Sequence, residues 1–165
     1  AEKIFSLGVE KVALSSIVFS NPTIVKEISQ KVGSQSIVIV IDVKKNIFGK
    51  YQVYSHNGKV PVKVDLLDFV KKLEDLGAGE IIINSIDRDG TMKGYDLTLA
   101  KQIRNSISLP ITIIGGVGSY NHIKELINEF KIIGAGVGSL FVFKGKYRAV
   151  LINYLSSDQK TNLYT

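Results

Sequence analysis

Short runs of β-branched and aliphatic residues alternate along the chain with stretches whose apolar positions recur every three or four residues. Residues 10–15 predict a strand. Asn21-Pro22 supplies a helix cap and a first-turn proline, and Val25, Ile28 and Val32 follow at helical spacing up to Gly33. Residues 36–43 are almost continuous Ile and Val, the pattern of a parallel strand covered on both faces. Runs at 51–55 and 60–64 flank Asn57-Gly58, a strong hairpin signal, so residues 45–64 predict a β-hairpin excursion beyond that strand.

The alternation continues. Leu66, Val70, Leu73 and Leu76 form a helical stripe closed by Gly77, and residues 80–84 form the next strand. Asp96 caps a helix carrying Leu99, Ile103 and Ile107, which Pro110 ends. Residues 111–114 are a strand, and Ser119 caps a helix bearing Ile123, Leu126, Ile127 and Phe130. Residues 132–137 predict the last strand, 147–154 a short helix, and 156–165 a loose polar tail. Residues 1–8 read as the end of a helix. The whole is an α/β domain over residues 1–165, with about five parallel strands joined by right-handed βα crossovers.

Composition narrows the chemistry. The 165 residues contain no cysteine, which excludes disulfides, thiolate metal sites and cysteine nucleophiles. The two histidines, His56 and His122, argue against a histidine-rich metal site, and neither a metal nor a cofactor is expected. Each histidine reads as solvated. No apolar run approaches the roughly 18 residues that span a bilayer, so no membrane partner is expected and a cytoplasmic location is. A net charge of +6 fits an anionic ligand. The lysines are scattered and not interleaved with aromatics, so nucleic acid is not the expected partner.

In parallel α/β folds ligands gather at the C-terminal ends of the strands. Asp42 ends the most hydrophobic strand. There it is partly withdrawn from water, a setting suited to general acid/base work; a cap or a partner for Lys44 is the structural alternative. Asp87 and Asp89 flank Arg88 after the next buried strand, and alternation sends both to a similar side. One could act as acid/base and the other as its orienter; equally, Arg88 pairs with an acid and Asp89-Gly90 makes a turn. Gly115-Gly116 and Gly138-Ser139 follow neighbouring strands, each ahead of a helical segment. Their backbone N–H groups could cradle a phosphate, or the glycines could only permit tight turns. Residues 12–19, with Ser15-Ser16, echo residues 135–142, with Gly138-Ser139. Two equivalent cradles would suit a bisphosphorylated ligand, although two short apolar strands can match by chance.

Gly77-Ala78-Gly79-Glu80, the string Ser85-Ile86-Asp87-Arg88-Asp89-Gly90-Thr91 and then Gly94-Tyr95-Asp96 resemble the cyclase subunit of imidazole glycerol phosphate synthase. So do Lys11-Val12, Asn21-Pro22, Gly33-Ser34-Gln35, Ile41-Asp42, Leu109-Pro110-Ile111 and Gly115-Gly116. The resemblance runs in order over nearly the whole chain. It implies part of a (β/α)8 barrel that receives ammonia from a glutaminase subunit. The ammonia reacts with a ribulose-bearing bisphosphorylated aminoimidazole carboxamide nucleotide in histidine biosynthesis. By motif position, Asp42 resembles a catalytic general acid/base and Asp89 a supporting carboxylate. Gly90, Gly116, Gly138 and Ser139 resemble one phosphate site, Ser15 and Ser16 fall at part of the other, and Lys11 and Glu80 resemble an ammonia gate on the opposite face.

Two departures accompany it. Ser15-Ser16 stand where the family usually has Asn-Thr. Residues 141–154 look more like the cyclase homologues of surface-polysaccharide clusters, thought to supply ammonia for amidination or amide formation on a sugar. A chain of 165 residues is also well short of the roughly 250 of a complete barrel. It reads as the C-terminal part of one, inactive as a cyclase by itself. Its open strand edges favour self-association, and a non-catalytic, self-associating half-barrel is the alternative.

Overall fold

The computed structural model describes residues 2–145 and 147–163. Glu2–Phe5 is a short helix, α1, and Val12–Leu14 is β1. The apolar run after β1 coils into one helical turn, α2 (Ile17–Ser20), which buries Val18. Asn21 closes that turn rather than opening the next helix: its N–H donates to Ile17 O at 2.9 Å, and its Oδ1 accepts from Thr23 Oγ1 at 2.7 Å. With the Asn21 side chain so engaged, α3 begins later, at Ile24–Val32.

β2 is long, Ile37–Lys45, and β3 (Tyr51–Ser55) and β4 (Val60–Val62) fold back from it as an antiparallel hairpin. His56 and Asn57 turn that hairpin with φ of +52° and +57°, left-handed values that asparagine tolerates. There follow α4 (Leu66–Asp75), β5 (Glu80–Ser85), α5 (Leu97–Arg104), β6 (Ile111–Ile114), α6 (Tyr120–Phe130) and β7 (Gly134–Ala135). Asp65, Asp96 and Ser119 cap α4, α5 and α6 through their side chains. Helix α5 stops well before Pro110, at Asn105-Ser106, where Ser106 Oγ turns back to donate to Gln102 O.

Seven strands form one sheet in the order β4-β3-β2-β5-β6-β7, with β1 beside β2. β1, β2, β5, β6 and β7 are parallel, the five strands expected from the sequence. No pairing among the described residues joins β7 back to β1 or β4, so the sheet is an open arc of a (β/α)8 arrangement.

The two faces of the sheet differ. Ile37, Ile39, Ile41 and Val43 of β2, Ile81 and Ile83 of β5, and Ile111 and Ile113 of β6 are buried in a core shared with α3 to α6. Their neighbours on the other face, Val40, Asp42, Ile82, Asn84, Thr112 and Ile114, are only half-buried. The expectation of a β2 covered equally on both faces is thus corrected: helices cover one face only.

The end of the chain also departs from expectation. Instead of a helix at 147–154, α7 (Ser139–Val142) leads into a hairpin of β8 (Phe143–Lys144) and β9 (Ala149–Val150). Val150, Leu151 and Ile152 are all exposed, so no apolar stripe drives a helix here and the β-branched residues extend. Residues expected to be loose carry a helix, α8 (Ser157–Thr161), opened by a Ser156–Gln159 capping box and tied down by buried Leu163.

Candidate active site

Strand β2 delivers Asp42 to the C-terminal end of the half-buried face. There Asn84, its in-register neighbour on β5, donates from Nδ2 to Asp42 Oδ1 at 2.9 Å. Asn84 Oδ1 is buried with no partner. Asp42 opens no helix, and no ion pair among the described residues joins it to Lys44. The carboxylate and the amide form a polar pair at the end of an otherwise apolar strip.

The Asp87-Arg88-Asp89 segment behaves differently from a continued strand. β5 ends at Ser85 and residues 86–91 turn, so alternation does not set these side chains. Asp87 reaches back to accept from the Lys45 N–H at 2.6 Å, fastening the loop to the base of the hairpin. Arg88 Nη1 donates to Gly94 O at 3.2 Å rather than to an acid. Asp89 is exposed, and its N–H donates to Ser85 O at 3.0 Å.

The glycine loops after β5 and β6 pack backbone to backbone. Gly116 has φ +96°, and a Cβ there would lie 2.2 Å from Gly94 O. The Gly94 N–H donates to Gly116 O at 2.7 Å. Gly90 and Gly138 face open space instead, and Gly138 immediately precedes Ser139 at the start of α7. So Gly116 supplies close packing, while room for a ligand lies over Gly90 and Gly138. On β1's side, Ser16 Oγ accepts from the His56 N–H at 3.0 Å, and Ser15 O accepts from the Val18 N–H at 3.1 Å. His122 is more than solvated: its Nδ1 accepts from the Gly118 N–H at 3.2 Å, which holds the loop after β6.

At the other end of the same face, Lys11 Nζ meets Glu80 Oε2 at 2.8 Å and Thr112 Oγ1 donates to Glu80 Oε1 at 2.9 Å. The Lys11 hydrogen bond, working against partial burial, holds the Glu80 carboxyl below the usual carboxylate range. Between this pair and Asp42–Asn84 the face carries Val40 and Ile82, while Val38 is level with Glu80 and Ile114 with Asn84.

Three features escaped the sequence reading. Asn84 and Thr112 each belong to the half-buried face of an otherwise Ile-rich strand, and counting alternate positions back from Ile81 and Ile111 would have found them. The third is a cluster around the buried Asp96. Asp96 Oδ1 accepts from Tyr51 Oη at 2.9 Å and from the Leu99 N–H at 3.1 Å, while Lys45 Nζ lies 3.5 Å from Oδ2 and 4.9 Å from the Tyr51 ring centre. Burial first, then the hydrogen bond to Asp96 and its charge, push the Tyr51 hydroxyl pKa upward. Among the described residues no group of three His, Asp or Glu side chains could hold a metal, and no helix is long and apolar enough to cross a membrane.

The model of histidine biosynthesis proteins fits residues 1–148. The chain belongs to the histidine biosynthesis protein family. Family relatives include the "Putative imidazole glycerol phosphate synthase subunit hisF3" of Vibrio vulnificus (strain YJ016), 51% identical over 97% of this chain and 62% of its own length. A Leptospira borgpetersenii family member, whose name differs only in ending HisF, is 48% identical over 99% of this chain and 65% of its own length. The "Imidazole glycerol phosphate synthase subunit HisF" of Chloroherpeton thalassium (strain ATCC 35110 / GB-78) is 38% identical over 87% and 57%. The chain therefore spans a little under two thirds of these family relatives.

Proposed function

We propose that this chain supplies the ammonia-receiving part of a cyclase of the imidazole glycerol phosphate synthase type. One observation carries the reading: a single sheet face bears a Lys11–Glu80–Thr112 cluster toward its N-terminal end and Asp42–Asn84 at its C-terminal end, with the apolar Val40 and Ile82 between them on β2 and β5. Neutral ammonia can cross such an apolar strip, whereas ammonium would lose its hydration there. A glutaminase subunit seated at the N-terminal strand ends would deliver ammonia past Lys11 and Glu80.

At the C-terminal end Asp42 acts as general acid/base, oriented by the Asn84 amide. The substrate is a bisphosphorylated nucleotide. One phosphate lies over Gly90 and Gly138 beside Ser139, with Gly116 holding the loop after β6 against the loop after β5 that carries Gly90. Ser15 and Ser16 contribute to the other phosphate site, and the exposed Asp89 supports the reacting end.

The test is a graft: the matching stretch of the Chloroherpeton relative is replaced by that of this chain, and ammonia-dependent formation of imidazole glycerol phosphate is followed. The graft is expected to turn over. Asp42→Asn in it is expected to lower kcat about 100-fold or more with KM little changed, the pattern of a lost acid/base step. A folded graft without turnover, or one indifferent to Asp42→Asn, would overturn the reading.

A further inference from the structure

A separate cavity opens at the C-terminal end of the sheet, between the β8–β9 hairpin and the loops after β5 and β6. Its volume is about 290 Å³. Met92 comes to it from the loop after β5 and Gly118 from the loop after β6, while Phe143, Lys144, Arg148 and Asn153 come from the hairpin and the chain leaving it. Gly90, Gly116 and Gly138 do not line it, so it is distinct from the space over the strand-end glycines.

Its charge is one-sided. Among the described residues no carboxylate lines the cavity and no ion pair includes Lys144 or Arg148. The Arg148 guanidinium sits 4.7 Å from the Phe143 ring centre, a contact that orients the cation without neutralising it. The Asn153 amide donates to Leu151 O at 3.1 Å, which uses one of its two N–H groups and leaves the other for a ligand.

The hairpin that carries these groups is rooted. Beyond β8 and β9, the Leu151 N–H donates to Val142 O and the Asn153 N–H to Phe141 O, both at 2.9 Å. Phe141 packs edge-on to Tyr154 with ring centres 5.4 Å apart. Two cations beside a small cavity repel each other, and a bound anion turns that repulsion into two charge-assisted hydrogen bonds.

We propose that this cavity is an anion subsite that takes a dianionic phosphate group through Lys144, Arg148 and the Asn153 amide. The assignment stands on the cavity and its charges and does not depend on the cyclase reading.

The 165-residue chain is titrated calorimetrically with inorganic phosphate, with malonate as the dicarboxylate control, at two salt concentrations. Saturable phosphate binding is expected, weakened about tenfold or more in Lys144→Met/Arg148→Met, a loss of about 1.4 kcal/mol. Malonate is expected to bind more weakly than phosphate. Both substituted side chains are exposed, so the thermal melt should not move, and the chain carrying Lys71→Met/Lys72→Met, which loses the same charge from the exposed side of α4, should bind phosphate as the parent does. The proposal falls if the Lys144→Met/Arg148→Met variant binds phosphate as tightly as the parent, if Lys71→Met/Lys72→Met weakens binding as much, if malonate binds equally well, or if the parent does not bind.

Discussion

Gly116 and Gly138, alike in the sequence, do opposite things in the fold. Gly116 holds φ +96° with the Gly94 carbonyl directly where a Cβ would be, whereas Gly138 looks onto open space. Gly116→Ala should therefore destabilise the chain by about 2–3 kcal/mol, through a left-handed conformation plus a backbone clash. Gly138→Ala should stay within about 1 kcal/mol. Urea unfolding of the two variants checks the contrast, and equal losses would refute it. The glycines themselves were plain in the sequence. Which one packs and which one leaves room was not, because that depends on how loops from two different strands meet. Asp42 was legible for a local reason: it is the first acid after an unbroken Ile/Val run. Its partner Asn84 was not, since the pairing rests on the register between β2 and β5.

At the scale of elements, capping residues were the most readable feature. Asp96 and Ser119 cap α5 and α6 as their positions ahead of apolar stripes suggest. Asp96 does more than cap, since it also receives the Tyr51 hydroxyl from the hairpin. Asp96→Ala removes the cap and leaves a half-buried phenol unpartnered, so a loss of about 2–3 kcal/mol is expected in chemical unfolding. Tyr51→Phe removes one hydrogen bond and should cost about 1 kcal/mol. If the two variants lost equal stability, Asp96 would have no capping role beyond its bond to Tyr51. The 147–154 segment was misread as a helix because its length and apolar content suit either state. The β-branched Val150 and Ile152 and the absence of a covered stripe decide for the hairpin.

For the molecule as a whole, the five parallel strands follow from hydrophobic patterning alone, while the unequal faces of the sheet do not. Pattern reports that a strand is apolar; it does not report which face has helices to lie against. The Lys11–Glu80–Thr112 cluster joins β1, β5 and β6 at one end of the less covered face. Glu80 is held below its ordinary pKa of 4.5, so its ionised form is favoured in the folded chain. Its contribution to stability is complete above that value and is lost as pH falls through the lower, folded-state pKa. Acid unfolding of the parent and of Glu80→Gln should show a stability gap that is constant near neutral pH and narrows below pH 4.5. A gap independent of pH would show that Glu80 acts through shape rather than charge.

β2 also has a consequence for the order in which the structure assembles. Its first residues, Ile37 to Ile39, pair with β1, and its last, Asp42 to Lys45, pair with β3. The second pairing closes across a tight turn, whereas the parallel partners of β2 must first be brought round by whole helices. Short-range closure costs less chain entropy and comes sooner. The half of β2 that bears Asp42 is therefore expected to form early, by a locally closed hairpin, with the acid in register before the crossovers bring Asn84 alongside it.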